Sequence, residues 1–415
     1  MAISDMDAVD APRHVECRGC ARRYRVGAVP SHAVARCVRC GALLRSHASL
    51  EACLALALTG LVLMLLANFM PFMSFGMEGR VEMASLPSGA LTLWADGLWP
   101  LGALILFLTI AAPVLKLGTI AWVLIALRQR HPPRAIIPVL RRLNELGPWS
   151  MVEVYMLGFF VAYVKLAQQA TVTLGVAVYA LGTLVFVMAA MDAFIDYDQI
   201  WDEVQRKGLV PPVPADPGAP LIRCDSCDLL APAPRSGARC ARCGAPLRRR
   251  KHDSVARSWA LILAAAILYI PANVYPFLTL ISFGSGAPDT ILSGVRHLVE
   301  AGMWPLALLV FFASITVPVL KIVGLGLLLV LTQRRSRWHL RERTRLYRII
   351  EAIGRWSMID IFMLSILVAL VKLGTVATVS PGIGSLSFAG VVLLTMFAAM
   401  AFDPRLMWDR AGENK

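Results

Sequence analysis

Eight stretches of roughly 20 apolar residues divide this chain, and they limit its fold more than any other feature. They run at about Ala48–Met70, Leu98–Leu127, Trp149–Ala167, Val172–Ile195, Ser258–Pro276, Met303–Leu331, Trp356–Leu373 and Leu386–Phe402. At a rise of about 1.5 Å per residue, such blocks match a hydrocarbon layer ~30 Å thick. Lipid offers no partner to an unpaired backbone amide, so a single block of this kind must be helical. The expected fold class is an α-helical polytopic membrane protein with eight transmembrane helices. Composition agrees: 57% of residues are hydrophobic and 16% charged, against roughly 45–50% and about 25% in soluble domains. That balance excludes a disordered chain or a secreted disulfide scaffold, and argues against an ordinary soluble enzyme.

Orientation follows from lysine and arginine, which concentrate in cytoplasmic loops. The first 45 residues are polar, arginine-rich and unlike a signal peptide, which puts the N-terminus in the cytoplasm. Under that reading the connection after the second span carries Arg128, Arg130, Arg134, Arg141 and Arg142. The connection after the sixth carries Arg334, Arg335, Arg337, Arg341, Arg343, Arg345, Arg348 and Arg355, while the opposite side has only Arg80 and Arg296. Both termini are therefore expected inside.

The chain also repeats itself. Gly97-Leu98-Trp99-Pro100 recurs as Gly302-Met303-Trp304-Pro305, and Pro113-Val114-Leu115-Lys116 as Pro318-Val319-Leu320-Lys321. Trp149-Ser150-Met151-Val152-Glu153 recurs as Trp356-Ser357-Met358-Ile359-Asp360, Val164-Lys165-Leu166 as Val371-Lys372-Leu373, and Asn68 with Pro71 as Asn273 with Pro276. Each half is one cysteine module followed by four spans. An even number of spans gives both halves the same orientation, so they form two parallel four-helix repeats. The expected divisions are a cytoplasmic ribbon at 1–46, a first bundle at 47–200, a linker and second ribbon at 201–252, a second bundle at 253–408 and a tail at 409–415.

The modules read Cys17-x-x-Cys20 with Cys37-x-x-Cys40, and Cys224-x-x-Cys227 with Cys240-x-x-Cys243. Paired knuckles at this separation match a four-thiolate tetrahedral zinc site of the rubredoxin-like kind. Gly41 and Gly244 follow the last cysteines, where a tight turn needs conformational freedom. Each module is too short for a core of its own, so metal binding would supply folding energy. Two zinc ions are expected, one per module. Disulfides would conflict with a reducing cytoplasm, and iron remains chemically possible with the same ligands. Arg18, Arg22, Arg23, Arg36, Arg39, Arg223, Arg239 and Arg242 could offset the negative centres. All four ligand positions are filled, which points to structural sites. Cys53 falls outside both clusters and reads as a small apolar residue.

An ionisable residue inside a span is a functional candidate by default. Lys116 and Lys321 sit deep, about 18 Å from the cytoplasmic end of their spans. Each follows a proline, Pro113 or Pro318, that frees the carbonyl of Thr109 or Ser314. That combination suggests a polar cavity, the alternative being a structural ion pair within each bundle. Lys165 and Lys372 lie late in their spans, where snorkelling competes with function. Glu153 and Asp360 stand three residues after Ser150 and Ser357, a capping-box spacing. Asp192 and Asp403 fall at inner interfaces, and Trp99, Trp149, Trp304 and Trp356 read as interface anchors. Asn68 and Asn273 either break their helices or merely end them. No phosphate-loop motif, Ser/His/Asp grouping or metalloprotease helix occurs, so no enzyme is expected. The outer loops are too short to cross a periplasm.

The paired knuckles, the Pro-Val-Leu-Lys and Trp-Ser-Met-x-acid repeats, and Phe402-Asp403-Pro404-Arg405 together resemble the paraquat-inducible protein A family over nearly the whole chain. The resemblance implies an inner-membrane protein working with a periplasmic MCE-domain partner, moving phospholipid between the bilayer and that partner's tunnel and supporting envelope integrity. Lys116 or Lys321 would then meet an anionic headgroup, and the proline-bearing spans would open a path for acyl chains. Two other readings fit the same residues. One is a proton-coupled small-molecule exporter; the other is a zinc-ribbon anchor or sensor that transports nothing. Nucleic-acid binding is not expected, because no aromatic-interleaved basic face is present and juxtamembrane arginines attract anionic lipid.

Overall fold

The computed structural model describes residues 13–27, 29, 33–46, 49–77, 80–167, 171–211, 221–232, 238–282, 285–370 and 377–412. Among them, eight helices are long and apolar enough to cross a membrane. They are Leu50–Phe69, Trp99–Arg128, Gly147–Ala167, Val176–Phe194, Ser254–Val274, Trp304–Gln333, Leu340–Leu370 and Ile383–Ala401, here the first to eighth spans. Ser49 caps the first, its hydroxyl accepting from the Ala52 amide. The seventh begins earlier than expected. An amphipathic helix, Leu340–Gly354, continues through a tight turn at Arg355–Met358 into Ile359–Leu370. In the first half the matching helix, Ile136–Leu146, is interrupted before the third span. Pro148 stands there at the position of Arg355 and has no amide to carry the helix on. Lys372 lies outside the described residues.

The first span packs against the second and fourth, and the fifth against the sixth and eighth. The halves meet where Val152–Ala167 of the third span crosses Ile359–Leu370 of the seventh. Gly158 permits the close approach: a Cβ there would lie 3.0 Å from the Phe362 Cβ and 3.1 Å from the Ile359 carbonyl oxygen.

Two antiparallel three-stranded sheets cover one end of the bundle. The first joins Met73–Met77 to Arg80–Ala84 and Thr171–Leu174. The second joins Leu278–Ser282 to Ser285–Asp289 and Ala377–Pro381. The spans before them terminate rather than break: Asn68 and Asn273 each donate to a carbonyl one turn back, on Met64 and Tyr269, at 2.8 Å. In the second and sixth spans, wide π-helical turns at Phe107–Ala111 and Phe312–Thr316 directly precede the proline segments. The Thr109 and Ser314 hydroxyls donate to Ile105 and Val310 carbonyls at 2.7 Å, holding these turns.

The cysteine modules occupy the other end and lie crosswise. The first packs on the second half. Arg39 stacks over Trp408 at 4.1 Å, and Arg348 donates to the Cys40 carbonyl. The second packs on the helix Tyr197–Arg206 of the first half, with Arg242 3.5 Å from Asp202 and beside the Trp201 ring. The modules also meet each other through Arg18 and Asp228, and through Arg23 donating to the Leu221 carbonyl at 2.8 Å. The flanking arginines thus bind acids, aromatic rings and carbonyls of other elements as well as flanking the sulfurs.

Candidate functional site

The two metal candidates are built alike. In each, the four sulfurs lie within 4.8 Å of one another and are buried. Sulfurs of different knuckles approach to 3.5 and 3.6 Å in both modules. A tetrahedron with Zn–S near 2.3 Å has edges of about 3.8 Å, so the donor set fits such an ion. It does not fit disulfides, which need about 2.05 Å, and none of the cysteines is joined in one. Each knuckle closes with a residue at positive φ, and two of the four are not glycine: Ala21 (57°), Gly41 (71°), Asp228 (58°) and Gly244 (69°). Asp228 uses its carboxylate there to hold Arg223 at 2.8 Å. The clusters can hold two metal ions.

The membrane charges divide unevenly between the halves. In the first, Lys116 forms an ion pair with Asp192 at 2.6 Å. In the second, Lys321 is 2% exposed and among the described residues meets only neutral acceptors, the Gly354 carbonyl at 3.4 Å and the Ser357 hydroxyl at 3.3 Å. Laying Trp201-Asp202 on Trp408-Asp409, the register that also pairs Trp149 with Trp356, puts Ala399 where Asp192 stands, so the second half has no equivalent acid. Asp360 is 2% exposed and its Oδ2 shares the hydroxyl of Ser314, on the sixth span, with the Val310 carbonyl, while its Oδ1 has no partner among the described residues. Glu153, its counterpart, is about 40% exposed and lies 3.3 Å from Arg355 of the other half. The capping-box reading therefore gives way. Ser357 serves Lys321, Asp360 serves Ser314, and the Ser150 hydroxyl is buried without a partner. Asp403, just past the eighth span, is buried and gripped by the Arg405 guanidinium at 2.9 Å through both oxygens. Trp99, Trp304 and Trp356 remain exposed, whereas Trp149 wedges between Phe107 and Phe397.

Two cavities lie between the halves, one toward each end. The cavity toward the sheets is narrow, about 40 Å³, with a largely apolar wall that includes Phe277, Leu306, Val310 and Met363. Lys165 and Asp289 stand in its lining, and so do Ser314 and Asp360. The cavity toward the modules has about 550 Å³ and brings together Lys116 and Lys321, one from each half, with Arg18, Arg348 and Arg355. Thus Lys116, Lys321, Lys165 and Asp360 line cavities; Asn68 and Asn273 bond only to their own helices; and Pro113 and Pro318 act through the π-helical turns. Sequence reasoning did not find Asp289 or Arg18 as lining residues, because only the tertiary crossing of the halves brings them to the spans.

The model of the Paraquat-inducible protein A family matches residues 50–205 and again 255–412. The chain belongs to that family. "Intermembrane transport protein PqiA" of Escherichia coli strain K12 is 32% identical, with 98% of each chain covered. "Lipophilic envelope-spanning tunnel protein A" of the same organism is 30% identical over 95% of this chain and 90% of its own. A "Probable intermembrane transport protein" of Haemophilus influenzae is 28% identical over 95% and 94%. No solved structure matches the chain. The two family matches begin at the first and fifth spans, so they coincide with the two four-span repeats.

Proposed function

We propose that this family member is an inner-membrane subunit of a phospholipid transport system, passing lipid between the membrane and a periplasmic MCE-domain tunnel. In this reading the modules hold zinc and face the cytoplasm with both termini, and the sheets face the periplasm. The observation that carries it is the narrow, largely apolar cleft between the halves, about 40 Å³ in this conformation, whose wall is joined by Lys165. An apolar wall accommodates acyl chain, and a lysine beside it attracts a phosphate. The names of the relatives, which speak of transport between membranes and an envelope-spanning tunnel, support the same role. Lys116, Lys321, Pro113 and Pro318 would line or shape the path, with Lys165, Lys372, Glu153 and Asp360 as further polar contacts. Asn68 and Asn273 would fix the ends of two spans. No enzymatic step is part of this function.

The titratable groups in the lining, Asp289 and Asp360 beside Lys165, keep a second reading open. A proton-coupled exporter would use Asp360 and the same cavity without a partner. An anchor or sensor that transports nothing would make the cavity idle. The deciding experiment is transfer of a labelled phospholipid from proteoliposomes to an MCE-domain partner, comparing the native protein with Lys165→Met and Ala307→Trp, the latter a buried position on the span lining the cavity. Transfer that falls at least tenfold in both supports lipid passage. Transfer unaffected by either removes this cavity from the path.

A further inference from the structure

We propose that the cavity on the module side is a binding site for a phosphate-bearing anion, formed jointly by the two halves. Five cations line it: Lys116, Lys321, Arg18, Arg348 and Arg355; only Asp192 and Glu351 oppose them there. Several of the cations are already engaged. Lys116 is paired with Asp192, Arg18 with Asp228 and Arg355 with Glu153. The other two are not matched by charge. Lys321 is buried and among the described residues meets only a carbonyl and a hydroxyl at 3.3–3.4 Å. Arg348 donates to the Cys40 and Thr344 carbonyls, and among the described residues no carboxylate lies within ion-pair distance of it.

A buried cation without a counter-charge is costly, and an anion entering the cavity would relieve that cost. Guanidinium groups add directional pairs of N–H donors suited to phosphate oxygens. The remaining wall includes Ile350, Met396 and Ala399 and can take an apolar substituent. The anion therefore carries a phosphate group and has one of two sources: a phospholipid headgroup or a soluble phosphate compound. The lipid source alone rests on the transport reading above; the site itself does not.

Titration calorimetry on the full-length protein, purified in neutral detergent and phosphate-free buffer, tests the proposal. The probes are inorganic phosphate and dihexanoyl phosphatidylglycerol. The variants are Lys321→Met and Arg348→Gln, with Arg296→Gln at the opposite end as control. At least one probe is expected to bind, to lose at least tenfold in affinity in Lys321→Met and Arg348→Gln, and to keep it in Arg296→Gln. If Lys321→Met fails to fold, Arg348→Gln carries the test alone. Binding of phosphate but not lipid supports the site and detaches it from lipid transport. Binding of the lipid supports both. The absence of binding by either probe, or binding equally strong in the cavity variants, overturns the proposal and leaves the sheet-side cavity to be judged by its own experiment.

Discussion

Gly89 and Gly294 hold the same position in the two repeats, ten residues before Trp99 and Trp304, yet their surroundings are opposite. A Cβ on Gly89 would lie 2.3 Å from the Ser365 carbonyl oxygen of the seventh span. A Cβ on Gly294 would meet nothing within 4 Å. The helix Ser88–Ala95 is closed down on the other half, while Ile291–Glu300 stands back and lines the sheet-side cavity. The charges follow the same division. The first half pairs its deep lysine and leaves its span acid, Glu153, partly solvated. The second half buries Lys321 and Asp360 with neutral partners. Duplication supplied two equivalent clefts. In this conformation one serves as a packed scaffold, and the other keeps the open space and the uncompensated groups.

The largest effect should come from the metal modules, because structural zinc supplies on the order of 10 kcal/mol to modules of this size. Two equivalents of metal per chain are expected, and one after Cys17→Ser with Cys20→Ser. Since the first module packs on the second half, that change should raise hydrogen exchange in Leu340–Gly354 more than in Tyr197–Arg206. The matching change at Cys224 and Cys227 should reverse the order. Equal loosening of both helices in both variants would defeat the crosswise account.

Next in size is the glycine pair. Gly89→Ala forces a backbone shift against Ser365 and should cost about 1–3 kcal/mol of stability, as overpacking does. Gly294→Ala should gain up to about 1 kcal/mol, the usual helix benefit of replacing glycine. Melting temperatures of the two purified variants should therefore move in opposite directions. Movement in the same direction would mean that the clefts do not differ in this way.

The lysines sharpen the comparison further. Lys321→Met removes a buried cation that has no acid partner and should leave stability unchanged or raise it by roughly 1 kcal/mol. Lys116→Met breaks a pair whose acid is 52% exposed, so the expected loss is less than about 1 kcal/mol. Denaturation in phosphate-free detergent would register both. A clear loss in Lys321→Met would show that its neutral hydrogen bonds outweigh its desolvation.

The spans and knuckles were legible because their signals are local. A 20-residue apolar block or a Cys-x-x-Cys pair states its own structure. The duplication was legible for the same reason, and it correctly aligned Lys116 with Lys321. What the lysines touch was not legible, since Asp192 and its replacement by Ala399 matter only once the first span has brought the second and fourth together. The π-helical turns were hidden as well: Pro113 and Pro318 signalled a disturbance, but its form depends on where the Thr109 and Ser314 hydroxyls find acceptors. Ala21 and Asp228 adopt left-handed turns that sequence assigns to glycine, because the knuckle closes around its sulfurs whatever residue follows. The crosswise modules had no signal in either half alone. Their arginines read as neighbours of a negative metal centre, and only tertiary structure shows them reaching Trp408, Asp202 and Asp228.

The smallest effect concerns the acids that follow the last span of each half. Burial alone would push the Asp403 carboxyl up, but the Arg405 guanidinium and the Lys251 and Arg405 amides outweigh it and hold it below the usual range. Asp196 goes the other way. Burial and the neighbouring Asp198 raise it, and Arg45, 3.9 Å away, only partly opposes them. The signs of the pH dependence therefore differ. Asp403 contributes stability above the ordinary aspartate value of about 3.9, and that contribution is lost as pH falls through its depressed folded value. Asp196 imposes a cost when ionised, and the cost is relieved as pH falls through its raised value. Asp403→Asn should lower the melting temperature at pH 7, with the difference fading near pH 3. Asp196→Asn keeps an adequate cap for the helix it starts, so it should be neutral or stabilising at pH 7, with any gain also fading near pH 3. Melting curves at the two pH values would decide, and a destabilised Asp196→Asn at pH 7 would place its ion pair with Arg45 above its burial.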